Sequence, residues 1–224
     1  MSDLSTDPLP SEASVRLSLP EIEALCVKAA RGAGMAWGLA EEAGFAARWL
    51  AAAGLPGPEL LLRQLRAAGT ADGRPEISKD AWRAYPDRAL CPITVGATLS
   101  DRAGPVDGPI QIAGLANPAL LMPFLGMVAS TSGKAICLSC DLGQITVNRS
   151  GPDDTASVRK LSACEQADVE IAFVVATTGQ GKCQPGRVVT RAVWQGLDAL
   201  ALKTTVPATA QSRADAGAGT SDND

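Results

Sequence analysis

The chain has 224 residues, of which 46% are hydrophobic and 20% are charged, so it is long enough to bury a sizeable hydrophobic core. Its 24 acidic residues outnumber its 20 basic residues, and the net charge of −4 argues against nucleic acids and anionic membranes as partners. The chain contains no histidine, which excludes every triad, zinc site and general-base mechanism that depends on an imidazole.

Residues 1–14 and the cysteines bear on the compartment. Residues 1–14 are rich in proline, serine and acidic residues and are predicted to be disordered. They lack the basic and then apolar order of a secretion signal, and no run of about 18 apolar residues could span a bilayer. The six cysteines are scattered through apolar segments, as reduced core residues are. We therefore expect a cytoplasmic protein.

Three helices are predicted in the first third of the chain. The first begins after Ser18, which stands three residues before Glu21 as in a capping box, and it ends at Gly32. The second covers residues 37–53 and the third residues 58–68. The joins between them are short, which indicates a helical layer.

The middle of the chain changes to patterns that are typical of strands. Residues 70–88 are predicted to form a loop with one helical turn at 80–83. Apolar and polar residues then alternate over residues 90–99, which predicts a strand, and residues 110–115 are predicted to form a second one.

The last part of the chain completes the predicted fold. Four elements are expected there: an apolar helix over 117–128 that Pro123 kinks or delays, a hairpin around 141–143, a strand over 168–175 and a helix from about Thr190. This order predicts an α+β fold, in which an N-terminal helical layer packs on an antiparallel or mixed sheet. We expect a single globular domain over residues 15–206, ending in a C-terminal helix, and a polar tail over 207–224.

The second helix has the richest chemistry, because its sequence is W-G-L-A-E-E-A-G-F-A-A-R-W. On a helix, Trp37, Glu41 and Arg48 fall on one side, and an apolar stripe that includes Leu39 and Leu50 falls on another. If both sides are covered, Glu41 and Arg48 are partly buried and need each other or a ligand. The alternative is a solvated charged face, with the tryptophans anchoring the helix to its neighbours.

Cys137 and Cys140 have the C-x-x-C spacing of metal and redox sites. In a strand these two side chains point to opposite faces, and zinc would need two more thiolates, for which only the isolated Cys164 and Cys183 follow. We predict inert cysteines here, and neither a bound metal nor a cofactor.

Three segments of the chain are similar to known sequences. They are L-P-E-I-E-A-L-C-V-K-A-A-R-G-A-G-M-A-W-G-L-A-E-E-A-G, L-C-P-I-T-V-G-A-T-L-S-D and V-P-A-T-A-Q-S-R-A-D-A-G-A-G-T-S-D-N-D. With them the chain resembles, over residues 15–224, a bacterial family described as a domain of unknown function. The resemblance transfers no activity and no catalytic residue. It implies a single-domain bacterial protein whose tail is part of the family pattern.

These features together predict a small-molecule-binding protein, in the form of a cofactor-free metabolic enzyme with its site between the second helix and the tail. The acid–base candidates are Glu41 and Glu42. The predicted contacts of a small polar or anionic ligand are Trp37, Arg48, Arg213 and Asp215. The alternatives are a non-catalytic subunit that docks on a metabolic enzyme through its tail, and a structural homo-oligomer.

Overall fold

The structure, a computed structural model, describes residues 13–67, 74–78, 81–84, 88–102, 108–175 and 186–205. The helices in these ranges are α1 (Leu19–Gly32), α2 (Trp37–Ala52), α3 (Gly57–Ala67), α4 (Pro92–Asp101), α5 (Met122–Ser132), α6 (Thr155–Ser162) and α7 (Arg191–Ala201). The strands are β1 (Ser14–Ser18), β2 (Glu76–Ile77), β3 (Trp82–Arg83), β4 (Ile110–Ala116), β5 (Ala135–Cys140), β6 (Gly143–Asn148), β7 (Gly151–Pro152), β8 (Gln166–Val174) and β9 (Gly186–Thr190). Short 3-10 helices precede α5 at Pro118–Leu121 and follow α7 at Leu202–Thr204.

The strands form two sheets. The larger one has the order β2-β3-β4-β8-β5-β6-β7, and its neighbours are antiparallel except for β3 and β4. The smaller one is an antiparallel ribbon of β1 and β9, in which Ser14 lies opposite Thr190. The predicted α+β fold with a mixed sheet is therefore confirmed.

One face of the larger sheet is buried under helices. Residues that point to this face lie side by side across the central strands, as Ile112 does with Val169 and Leu138 with Ile171. The alternate residues on the same strands, such as Gln111 and Glu170, are more exposed, which is the period of two expected of a sheet with one covered face. Helices α5 and α6 pack against the buried face, and α2 and α4 pack on α5.

The N-terminal helical layer follows the prediction closely. The Ser18 main-chain N–H donates to Glu21 Oε2 at 2.7 Å, and the Glu21 N–H donates to Ser18 Oγ at 3.4 Å, so the predicted capping box is present. Helix α2 lies at the centre of the layer and contacts α1, α3, α4 and α5. Small residues allow this close packing, since a Cβ at Gly44 would lie only 2.4 Å from Val27 Cγ2 on α1.

The largest difference from the prediction is α4, because residues 90–99 were expected to form a strand. Pro92 stands in the first turn of the helix, where its missing N–H is not needed. Ile93, Val95 and Leu99 point in different directions from the helix axis and are all buried. The helix is therefore covered on more than one side, and the apolar residues that alternate in the sequence belong to a buried helix and not to a strand with one covered face. Gly96 lies against the Phe124 ring, which a Cβ at this position would approach to 2.2 Å.

Other predicted elements are confirmed or corrected in the same way. The hairpin around 141–143 and the strand over 168–175 are present as β5–β6 and β8, and Pro123 in the first turn of α5 follows a 3-10 helix that delays the start. The helical turn predicted at 80–83 is wrong, since Trp82–Arg83 form β3. Strand β9 and helix α6 are additional elements.

No helix among the described ranges has the length and apolar character needed to cross a membrane.

Candidate functional site

The exposed side of α2 begins with Trp37, whose side chain is 63% exposed and yet held on two sides. Its indole Nε1 donates a hydrogen bond to Glu41 Oε1 at 2.8 Å, one helical turn further on. The Arg31 guanidinium of α1 lies 5.5 Å from the ring centroid, within the range of a cation–π interaction. The predicted ligand contact Trp37 is therefore an ordered aromatic side chain on the surface.

Arg48 lies on the same side of α2 but does not contact Glu41. Its Nη1 forms an ion pair with Glu23 Oε2 of α1 at 3.4 Å, and both side chains are partly exposed. Glu41 and Arg48 are exposed, and each has a partner: Glu41 bonds Trp37 on the same helix, whereas Arg48 joins α2 to α1 through Glu23. This side of the helix thus corresponds to the solvated charged face that the sequence left open as the alternative.

Glu42 differs from its neighbour because it lies towards α4 and is partly buried. Burial is the largest cause that raises the pKa of the Glu42 carboxyl, followed by the negative charges of Asp101, the last residue of α4, and of Glu41. A raised pKa allows a carboxyl group to carry a proton closer to neutral pH, where it can act as a general acid or base. Of the two predicted acid–base residues, Glu42 has the environment that suits the role.

The raised pKa of Glu42 leads to a prediction about stability. Because the folded state holds the proton more tightly than the unfolded state, the contribution of Glu42 is favourable at acidic pH and is lost as the pH rises through the folded-state pKa. We expect Glu42→Gln to be more stable than the wild type at neutral pH, and this difference to shrink at acidic pH. Urea unfolding at both pH values measures it.

The matched control for this measurement is Glu41→Gln, which removes an exposed carboxylate from the adjacent position. That change replaces the charged acceptor of the Trp37 hydrogen bond by a neutral amide oxygen, which weakens the bond, and it is expected to give no stabilisation at neutral pH. A pH-independent effect of Glu42→Gln would contradict the prediction.

Glu59 of α3 is a second carboxyl group with a raised pKa, but its surroundings differ from those of Glu42. Burial raises the pKa of Glu59, while a main-chain hydrogen bond and the positive charge of Arg187 on β9 act in the opposite direction. Burial is the largest cause that raises the pKa of the Cys26 thiol, and the negative charges of Glu59 and Glu23 raise it further. Because Arg187 attracts the Glu59 carboxylate, we interpret Glu59 as an electrostatic link between α3 and the ribbon of β1 and β9. The buried Cys26 thiol is unreactive, since only the thiolate is a good nucleophile.

A buried polar network, which the sequence did not indicate, connects α3 to the sheet. Arg63 donates hydrogen bonds to Asn117 Oδ1 and to the main-chain oxygens of Ser162 and Cys164, the last two at 3.0 and 3.2 Å. Asn117 Nδ2 in turn donates to Gln64 Oε1 at 2.7 Å. Asn117 has the left-handed φ of 43° at the turn between β4 and the 3-10 helix. Each of these polar groups bonds another part of the fold, so the network is structural.

The cysteines and acidic residues form no metal centre within the part of the chain that the structure describes. Cys137 and Cys140 lie three residues apart in β5, and Cys137 Sγ is 3.8 Å from Ser139 Oγ. The described ranges contain no group of three or more His, Cys, Asp or Glu residues that could hold a metal ion. The described cysteines are free thiols.

The predicted ligand contacts Arg213 and Asp215 lie outside the described residues. The structure therefore places four of the six predicted site residues, all of them on α2: Trp37, Glu41, Glu42 and Arg48. The group that the sequence missed is Asp101. It would have been found only if residues 92–101 had been recognised as a helix that ends beside α2.

Comparison with known proteins identifies one related family. Residues 17–89 match the model of a family described as a protein of unknown function, DUF3726. No curated protein and no solved structure matches the chain. The match covers α1, α2 and α3 and confirms the resemblance to a domain of unknown function for that part of the sequence. Over its N-terminal helical layer, the chain is similar to the DUF3726 family.

Proposed function

We propose that the protein binds a small polar ligand beside the N-terminal half of α2, as a cofactor-free enzyme would, and that Glu42 transfers a proton to or from it. The observation that carries this proposal is the position of Glu42 on the side of α2 that lies towards α4, where burial and two neighbouring carboxylates raise the pKa of Glu42. A carboxylate whose charged form is disfavoured in the folded state is often found at a functional site.

The proposal assigns different tasks to the candidate residues. Glu41 and Arg48 are engaged with Trp37 and Glu23, so they support the geometry of α1 and α2. Glu42 lies close enough to Asp101 to be affected by its charge, and both acids belong to helices that pack together, α2 and α4, which hold their main chains in place. Glu42 is therefore the proton-transfer group in this proposal, and Asp101 is the residue that positions its charge.

The charges around Glu42 also bear on the class of ligand. Glu41, Glu42 and Asp101 are all acidic, and the predicted anion contact Arg48 is paired with Glu23. A negative ligand would be repelled at this place, whereas an amine or a neutral hydroxyl compound would find hydrogen-bond acceptors. The proposal therefore favours a neutral or positively charged ligand over the anionic one.

The test is the thermal stability of the protein with a panel of small amines, polyols and carboxylic acids. A ligand at about 100 times its Kd stabilises the folded state by about 2.7 kcal/mol, which raises the Tm by about 5–11 °C for a chain of this size. We expect an amine or a polyol to cause such a shift in the wild type. The shift should be lost in Glu42→Gln.

The matched control is Arg48→Gln. It changes a charge on α2 away from Glu42 and breaks only the ion pair with Glu23. We expect this variant to keep the ligand-induced shift. An unchanged shift in Glu42→Gln, or no shift with any of the three compound classes, would overturn the proposal.

The alternative role is that of a non-catalytic subunit that docks on a metabolic enzyme through residues 207–224. It predicts a stoichiometric enzyme partner that co-purifies with the full chain and is lost when residues 208–224 are removed, while no small molecule shifts the Tm. The free thiols among the described cysteines support the proposal that either role is carried out in the reducing cytoplasm.

A further inference from the structure

The geometry points to the C-terminal end of α1 as the docking surface of residues 206–224 of the same chain. We call this region the α1-end surface, and it consists of Arg31, Gly32, Trp37, Leu202 and Lys203. The docking is intramolecular and does not depend on a ligand at Glu42. Three independent features of the described residues support it: exposed apolar side chains, the path of the chain and the distribution of charge.

The first feature is the exposure of two large apolar side chains at this end of the molecule. Trp37 is 63% exposed and Leu202 is 60% exposed, although both flank a helix that is otherwise well packed. The indole is already held by Glu41 and Arg31, so a docking segment would lose little side-chain entropy by contacting it. Ordered aromatic residues of this kind are the usual anchors of an interaction surface.

The second feature is the place where the described chain ends. A Cβ at Gly32 would lie 1.8 Å from the main-chain oxygen of Leu200, so the end of α7 packs directly on the end of α1. The 3-10 helix Leu202–Thr204 continues along α1, and Val206 follows after Thr205. Arg31, the residue before Gly32, lies 5.5 Å from the Trp37 ring centroid, so the ring is near the end of α7. Each further residue can advance the chain by at most roughly 3.4 Å, and about eight residues span roughly 27 Å.

The third feature is charge complementarity. Residues 206–224 contain one basic residue, Arg213, and three acidic residues, Asp215, Asp222 and Asp224. Both charged residues of the α1-end surface, Arg31 and Lys203, are basic, and the acidic Glu41 lies beside it, bonded to Trp37. An acidic segment beside a basic surface is attracted to it at low salt, and its local concentration is high because it belongs to the same chain.

Quenching of tryptophan fluorescence by acrylamide tests the docking. The variant Trp37→Phe keeps the other three tryptophans. Subtracting its fluorescence from that of the wild type cancels their signal and leaves the contribution of Trp37. The same difference is measured in chains that end at Thr205. We expect the quenching constant of Trp37 to rise roughly twofold or more when residues 206–224 are removed, because a docked segment shields the ring for most of the time.

Two full-length variants test the same contact without shortening the chain. Leu202→Ser should also raise the quenching of Trp37, and its matched control is Leu142→Ser, which changes a leucine of similar exposure (57%) in the β5–β6 turn. Replacing Asp215, Asp222 and Asp224 together by asparagine should also raise the quenching of Trp37. Added salt should raise the quenching of Trp37 in the wild type, because it screens the attraction between the acidic segment and the basic surface.

The outcomes distinguish this inference from its rivals and from the proposed function. Equal quenching of Trp37 in the full and shortened chains, together with no effect of Leu202→Ser, would overturn the docking. Shielding that grows with protein concentration and persists without residues 206–224 would assign the surface to a second copy and would also overturn it. Neither result alters the Glu42→Gln test, since that test measures ligand binding.

Discussion

Replacing Arg63 by methionine is expected to lower the free energy of unfolding by about 3 kcal/mol, because it removes the donor for three buried or partly buried acceptors. Methionine matches the unbranched stem of arginine and keeps its apolar contacts, so the loss reports mainly on the hydrogen bonds of the guanidinium group. The acceptors left behind are the Asn117 side chain and the main-chain oxygens of Ser162 and Cys164. Chemical unfolding measures the change, and the Tm should fall by about 6–12 °C.

The control for this prediction is Arg66→Met on the same helix. Arg66 is exposed and lies three residues further along α3, so its loss should change stability by less than about 0.5 kcal/mol. Equal losses in the two variants would mean that the Arg63 network contributes no more than a surface arginine does. The far-ultraviolet circular dichroism of both variants should stay the same as that of the wild type.

A second large effect is expected from a single methyl group at Gly32. Its Cβ would lie 1.8 Å from the main-chain oxygen of Leu200, and a main-chain atom of a packed helix can move only if α7 moves with it. We expect Gly32→Ala to destabilise the fold by about 2–3 kcal/mol, as overpacking in a close helix contact does. The measurement is again the free energy of unfolding by urea.

Gly38→Ala provides the matched control, since Gly38 also lies in a helix but nothing stands within 4 Å of its Cβ position. Alanine is the better helix former, so this change should leave stability unchanged or raise it by up to about 0.5 kcal/mol. Equal destabilisation by both changes would contradict the prediction, because it would mean that contact with α7 does not decide the effect at Gly32.

Local signals in the sequence were sufficient for most of the helices and for the hairpin. Ser18 and Glu21 form the predicted capping box, and the turn between β5 and β6 lies where it was expected. These elements depend on residues close together in the chain, and their caps and turns use side chains that only a few residue types provide. The stop signals near Gly32 and Gly54 worked for the same reason, as α1 ends at Gly32 and α2 ends just before Gly54.

Two of the elements that were missed, helix α4 and strand β9, depend on distant parts of the chain. Residues 92–101 have β-branched residues in an alternating order, but contacts with α2 and with Phe124 hold them in a helix. Strand β9 is short and pairs with β1 at the other end of the described chain. Helix α6 did carry a local signal, because Asp154 caps it by accepting hydrogen bonds from the Ala156 and Ser157 N–H groups.

The sequence by itself determined that no imidazole chemistry is available, that α2 combines acids, arginine and tryptophans, and that Glu41 and Glu42 are acid–base candidates. Only the tertiary structure separated these two adjacent carboxylates. Neighbouring residues on a helix point about 100° apart, so Glu41 lies beside Trp37 at the surface while Glu42 lies towards Asp101 of α4. The proximity of Asp101 and the pairing of Arg48 with Glu23 arise from helix packing, which no local pattern in the sequence encodes.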